Sequence, residues 1–175
     1  SLIDCGKIKL IFSGRLVHQK CVQLIIECCY LLSQNGVEVV LHIYGIGPEE
    51  ESLKSLSQKV ENEHLNIRFF GFVETSDIPY HDYCALFLPS KYEGLNNTII
   101  EALTHGTPVI TSLKHKHEIY FLSEEVNCVF VSGSANTMAQ KILNNRNKIF
   151  VNEKIIGNFS DMHRSVGIYL HDIVV

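Results

Sequence analysis

"VEVVLHIYGIGPEEESLKSLSQKV", from Val37 to Val60, decides the fold. Its first half is an almost unbroken run of apolar and β-branched residues, the pattern of a strand covered on both faces. Gly45 and Gly47 close the run, and Pro48 stands where a helix can begin. Acids follow at Glu49, Glu50 and Glu51, where the positive end of a helix dipole favours them. A strand, a tight turn and a helix therefore follow one another directly.

The same unit recurs on both sides. "KIKLIFSG" (Lys7–Gly14) reads as a short strand. From Gln19 to Gln34, apolar residues at 21, 24, 25, 28, 31 and 32 keep the helical period, and Gly36 is a natural stop. "LNIRFFG" (Leu65–Gly71) and "ALFLPS" (Ala85–Ser90) read as the next two strands, with "SDIPYHDY" as a short helix between them. A helix from Asn97 to His105 and the strand "PVITS" follow. A short helix near His117–Leu122, the strand "NCVFV" and the helix "SANTMAQKILNN" complete the series. Strands alternating with helices on this scale predict an α/β fold, a Rossmann-like parallel sheet with helices on both faces. Residues 1–146 form that domain. The pattern then changes, and 147–175 read as a linker and a C-terminal helix from Ser160 to about Asp172.

Bulk composition narrows the function. Apolar residues make up 46% and charged residues 19%, a globular balance rather than a disordered one. A net charge of −4 supplies no basic field, which excludes nucleic acid as a natural partner. The six cysteines include no CxxC pair, and Cys28 and Cys29 adjoin one another in a helical stretch. They read as buried, reduced core residues of a cytoplasmic protein. "SLIDCGKIKLIFSGR" has no signal-peptide pattern, and Ser1 in place of methionine suggests a processed chain or a piece of a longer one. The apolar stretch "VQLIIECCYLL" is too short and too interrupted to span a membrane.

Ligands of an open parallel sheet bind beyond the carboxyl ends of its strands. "SGRLVHQK" places Arg15 and Lys20 just past the first strand, either as a diphosphate clamp or as two solvated cations. "GIGPEE" has the first two glycines of a dinucleotide fingerprint, but Glu50 stands where the third would be. A tight turn into a helix is the plainer reading. In "PSKYEGLNNTIIEALTHGTPVITS", Asn96 and Asn97 are good N-caps, and the amides of residues 95–98 would offer an anion site. Glu93 lies in the loop and Glu101 about one turn into the helix. Each is either an ordinary helix-start acid or, since a carboxylate repels phosphate but accepts hydroxyl protons, a grip on a sugar.

That last stretch resembles the E-x7-E signature of retaining GT-B glycosyltransferases of family 4, and the resemblance extends along nearly the whole chain. "FSGRLVHQK" resembles the family's GRL…KG loop, "LHIYGIGPEEESL" its G-x-GP segment, and "IRFFGFV" the strand and loop that hold the base. "HEIYFLSEEVNCVFV" and "NFSDMHRSVGIYLHDI" resemble its later helix and its closing helix. The resemblance implies the C-terminal, donor-binding domain of such an enzyme, with a nucleotide-diphosphate sugar as donor substrate and neither cofactor nor metal. Arg15, Lys20 and Glu93 would then be catalytic. The first two would hold the diphosphate, and Glu93 would position the transferred sugar while the leaving phosphate acts as base. Gly14, Phe72, Val73, Leu95, Asn96, Asn97, Thr98 and Glu101 would bind the donor. Gly14 would allow its approach, Phe72 and Val73 meet the base, Leu95 to Thr98 cradle the phosphate, and Glu101 grip the ribose.

Several positions differ from the family. Cys21 replaces the glycine after the lysine, Asn96 a proline or glycine, and Cys128 the glycine of Asn-Gly. "KHKHE" replaces a Gly-Gly pair, so that His115 and His117 precede Glu118; the plainer reading is two exposed histidines and a helix-capping acid, the other a metal site. The family's acceptor domain does not precede the pattern here. The implied partner is therefore an acceptor domain or subunit, with peripheral membrane association through that half, and Tyr169, Leu170 and Ile173 covering the junction. The rival readings are a non-catalytic nucleotide-sugar-binding or assembly module, and a nucleotide-sugar epimerase.

Overall fold

A computed structural model describes residues 7–91, 97–112, 122, 124 and 128–146. The predicted alternation is present. The strands are β1 (Lys7–Ser13), β2 (Glu38–Tyr44), β3 (Leu65–Gly71), β4 (Ala85–Leu88), β5 (Val109–Ser112) and β6 (Cys128–Val131). The helices are α1 (Val22–Gln34), α2 (Glu50–Val60), α3 (Asn97–Thr104) and α4 (Ala135–Asn144). All strand pairings are parallel, in the order β3-β2-β1-β4-β5-β6. The chain winds outward from β1 to β3, crosses back, and winds outward again from β4 to β6. Right-handed crossovers in opposite directions place helices on opposite faces. On one face α1 packs between α2 and α4; α3 packs against the β3–β4 connection and β5. The expected fold class is the observed one.

The core follows from the sequence. Ile8, Leu10, Ile11 and Phe12 of β1 and all four residues of β4 are fully enclosed, as central strands of a two-sided sheet must be. Cys28 and Cys29 of α1 are buried, and all five described cysteines are free. Burial pushes the Cys28 thiol up to about 12 and the Cys29 thiol well above its ordinary value, so neither is reactive.

Two boundaries correct the sequence reading. The helix predicted from Gln19 begins at Val22, because His18–Lys20 forms a 3-10 turn and Cys21 adopts a left-handed conformation, φ 55°. The helix predicted across "SDIPYHDY" is two separate 3-10 turns, Thr75–Asp77 and Tyr80–Asp82. Pro79 separates them, because the residue before a proline is pushed to extended geometry, and Ile78 is extended. In place of a helix, aromatic side chains cover that part of the sheet. The Tyr83 hydroxyl meets His42 Nδ1 and the Tyr44 hydroxyl, each at 2.9 Å, and Phe70 stacks on Tyr44. Burial, aided by the Lys9 and Arg68 charges, lowers the His42 pKa. The short helix predicted near His117–Leu122 and the C-terminal helix lie outside the described residues.

Candidate functional site

The strand order reverses between β1 and β4, and the crevice of such a sheet opens at the carboxyl ends of those two strands. Backbone hydrogen bonds lace the loops there into one rim. Gly14 N–H donates to Tyr44 O at 3.0 Å, Leu16 N–H to Ile46 O at 3.0 Å, and Gly45 N–H to Gly71 O at 2.6 Å. Across the switch point, Lys91 N–H donates to Gln19 O at 3.0 Å. A Cβ at Gly45 would lie 1.8 Å from Gly14 O, and one at Gly47 would lie 2.3 Å from Leu16 O. The two glycines of "GIGPEE" thus let neighbouring loops pass. The structural reading of that motif accounts for both of them.

Gly14 follows β1 directly, with φ 155°. A Cβ built there would lie 3.8 Å from Lys20 Cε, so the half-buried Lys20 side chain runs over Gly14. Arg15 is exposed on the same loop. Across the crevice, α3 begins at Asn97; Asn97 is exposed, and Thr98 and Glu101 are half-buried in its first turns. Phe72 is 66% exposed beyond β3, while Val73 packs against the core. The fold therefore brings Gly14, Arg15 and Lys20 to one side of the crevice, α3 to the other, and Phe72 and Val73 to one end. Glu93, Leu95 and Asn96 lie outside the described residues, as do His115, His117 and Glu118. Among the described residues no cluster of three His, Cys, Asp or Glu side chains could hold a metal, and no helix is long and apolar enough to cross a membrane.

Three features of this end were not read from the sequence. His18 sits between Lys91 Nζ, 3.2 Å from its Nε2, and Glu49, 3.8 Å from its Nδ1. A cavity of about 510 Å³ opens beside the crevice, lined by Cys21, Leu24, Ser90, Lys91, Val131 and Met138 among others. Finally, Tyr80 Oη and Ser90 Oγ are buried without a hydrogen-bond partner among the described residues. Ser90 stood inside a quoted motif, but nothing in local sequence marks Tyr80. Its importance comes from what α3 and β1 place around it.

Cys21 closes the lysine loop. Its Sγ lies 3.6 Å from Gln19 O, and burial raises its pKa against the opposing pull of Lys91. A left-handed backbone costs a residue with a Cβ roughly 1–2 kcal/mol, which is a physical reason for glycine in the loop this one resembles. Cys21→Ala and Cys21→Gly both delete the thiol contact. The glycine variant is expected to unfold at higher urea, with about 1 kcal/mol more stability. Were position 21 an ordinary helical residue, the alanine variant would be the more stable.

Known proteins resemble this chain in sequence and in fold. Poly(ribitol-phosphate) alpha-N-acetylglucosaminyltransferase of Staphylococcus aureus is 26% identical over 131 residues, which are 74% of this chain and 26% of that protein. A putative colanic acid biosynthesis glycosyltransferase of Escherichia coli is 25% identical over 143 residues, 77% of this chain and 35% of that protein. The chain thus spans well under half the length of these curated relatives. Among solved structures, a variant of S. aureus TarM in complex with fondaparinux, alpha-GlcNAc-glycerol and UDP superposes with a TM-score of 0.71 at 23% identity, covering 90% of this chain and 32% of that one. The catalytic domain of cholesterol-alpha-glucosyltransferase from Helicobacter pylori gives 0.71 at 19% identity, covering 91% of this chain and 98% of that one. At these identities the likeness shows a shared fold. The family model for glycosyl transferases group 1 matches residues 1–147, and the chain belongs to that family.

Proposed function

We propose that this chain is the nucleotide-sugar-binding half of a retaining glycosyltransferase that builds cell-surface glycans. The observation that carries the reading is the pairing at the switch point: Gly14, Arg15 and Lys20 after β1 face a helix that starts after β4 with Glu101 in its first turns. The names of the two curated relatives, one acting on poly(ribitol-phosphate) and one in colanic acid biosynthesis, support the glycan class. UDP in the TarM complex supports a nucleoside diphosphate as leaving group.

The chemistry follows from the charges. Breaking the bond between sugar and phosphate leaves negative charge on the departing diphosphate. Arg15 and Lys20 stabilise that charge where it develops, the office a divalent metal ion holds in other sites. The amides of Asn97 and Thr98, at the start of α3, add their dipoles, and the family resemblance gives Leu95 and Asn96 the same duty. Glu101 accepts hydrogen bonds from the ribose hydroxyls, and Glu93 positions the transferred sugar. The base lies against the Phe72 side chain and the Val73 backbone. The departing phosphate oxygen takes the proton of the acceptor hydroxyl as the new bond forms on the same face. Acceptor groups come from a second domain or subunit, so this chain alone binds donor and turns it over slowly.

Calorimetric titration with UDP, GDP and ADP tests the reading, and one of the three is expected to bind. Glu101→Ala should weaken that nucleotide by about 1–3 kcal/mol, the worth of a hydrogen bond to a charged group. No binding by any of the three would sink the proposed function. An unchanged affinity in the variant would remove the role of Glu101.

A further inference from the structure

Tyr80 is a fully buried side chain, yet its hydroxyl has no hydrogen-bond partner among the described residues. An unpaired buried hydroxyl destabilises a fold, and phenylalanine would fill the same space without that cost. The ring's surroundings suggest what the hydroxyl is for. Thr107 Oγ1 donates to Tyr80 O at 2.7 Å and pins the turn that carries it. The ring packs on His105, centroid to centroid 5.8 Å. His105 Nδ1 in turn lies 2.8 Å from the backbone carbonyl oxygen of Glu101, so the ring packs at the C-terminal end of α3, one turn beyond Glu101. Ser13, the last residue of β1, lies close to the hydroxyl, and its contact with the phenol falls short of a hydrogen bond. The Glu101 carboxylate makes no hydrogen bond or ion pair with any described side chain. Burial, with the Glu101 charge adding to it, pushes the phenol up to about 12. At neutral pH the phenol therefore keeps its proton, and a carboxylate can only accept one.

We propose that Tyr80 is a positioning residue for the nucleotide: when ribose hydroxyls engage Glu101, the Tyr80 hydroxyl donates to the Glu101 carboxylate and fixes its orientation. The inference rests on the ribose-binding role given to Glu101 above. A hydrogen bond that is absent from the free protein and formed in the complex adds its gain to binding and nothing to folding. That separates it from a structural contact.

Whichever of UDP, GDP and ADP binds tightest is titrated beside its 2′-deoxy and 3′-deoxy forms, with wild type, Tyr80→Phe, Glu101→Ala and Tyr83→Phe. Wild type should favour the ribonucleotide about tenfold over one deoxy form, the scale of one charge-assisted hydrogen bond. Tyr80→Phe should lose about tenfold for the ribonucleotide and less than about twofold for that deoxy form, with an unfolding midpoint unchanged or raised. Tyr83→Phe removes hydrogen bonds to His42 and Tyr44. It should lower the midpoint and leave the ribose preference intact. Three results would overturn the inference. In the first, Tyr80→Phe keeps the full preference while Glu101→Ala abolishes it. In the second, Tyr80→Phe lowers the midpoint, which means that its hydroxyl is already bonded in the free protein. In the third, Tyr83→Phe erases the preference as well, which marks a general packing effect. Nucleotide binding with no ribose preference in wild type would overturn it together with the Glu101 grip. No nucleotide binding at all would strike the proposed function itself.

Discussion

Alanine at Gly45 is expected to lower folding stability by about 3 kcal/mol or more, by adding backbone strain to an overlap that nothing soft can absorb. Gly45 has φ 134°, and a Cβ there would lie 1.8 Å from Gly14 O and 2.9 Å from Gly14 C. Both are backbone atoms of the loop that follows β1. Relief requires the two loops to separate, which breaks the bond from Gly14 N to Tyr44 O. Gly71→Ala is the matched control. Its φ is 69°, but a Cβ there meets nothing within 4 Å, so it should cost only the left-handed penalty, roughly 1–2 kcal/mol. Urea unfolding of the two variants measures the difference. Equal losses would show that the first and second loops do not touch as described. Nucleotide affinity should fall in Gly45→Ala as well, because the displaced loop carries Gly14 and Arg15.

The largest functional effect is expected at Lys20. Lys20→Ala should weaken a nucleoside diphosphate by about 2–3 kcal/mol, on the order of 100-fold, while the parent nucleoside binds the variant and wild type alike. Lys20 is half-buried and runs over Gly14. Its charge is partly shielded from water and worth more to a phosphate than an exposed lysine's. Lys20→Arg keeps the charge with a different fork and should recover part of the loss. Calorimetry at two salt concentrations adds an internal check, since added salt screens the wild-type diphosphate contact and leaves the nucleoside unaffected. A variant that binds the diphosphate as wild type does would remove Lys20 from the clamp.

The strands were legible because β-branched runs have no other use in a two-sided sheet. β3, at the edge of the sheet, was legible for another reason: Leu65 and Ile67 are buried while Asn66 and Arg68 between and after them are exposed. The start of α1 was not legible, because apolar spacing continues through Cys21 while the backbone there turns left-handed. The turns around Pro79 were misread for a related reason. "SDIPYHDY" contains helix-compatible residues, and the proline's effect on Ile78 decided the outcome. At the site, local chemistry left Arg15, Lys20 and Glu101 open between ordinary surface charges and ligand groups, and the family resemblance gave them their roles. The duties of Gly45, Gly47 and Tyr80 depend on which loop or helix lies opposite, a tertiary fact that spacing does not encode.

The laced rim also bears on where this protein accepts new sequence. Loops after β1, β2 and β3 hold one another by main-chain bonds, so a residue inserted in any of them would shift the other two. The opposite end of the sheet carries no such constraint at Gly36, where nothing lies within 4 Å of an added Cβ. A tag, a protease site or a new pair of termini belongs in the turn between α1 and β2. Variation in loop length on the crevice side has to arrive in all three loops together.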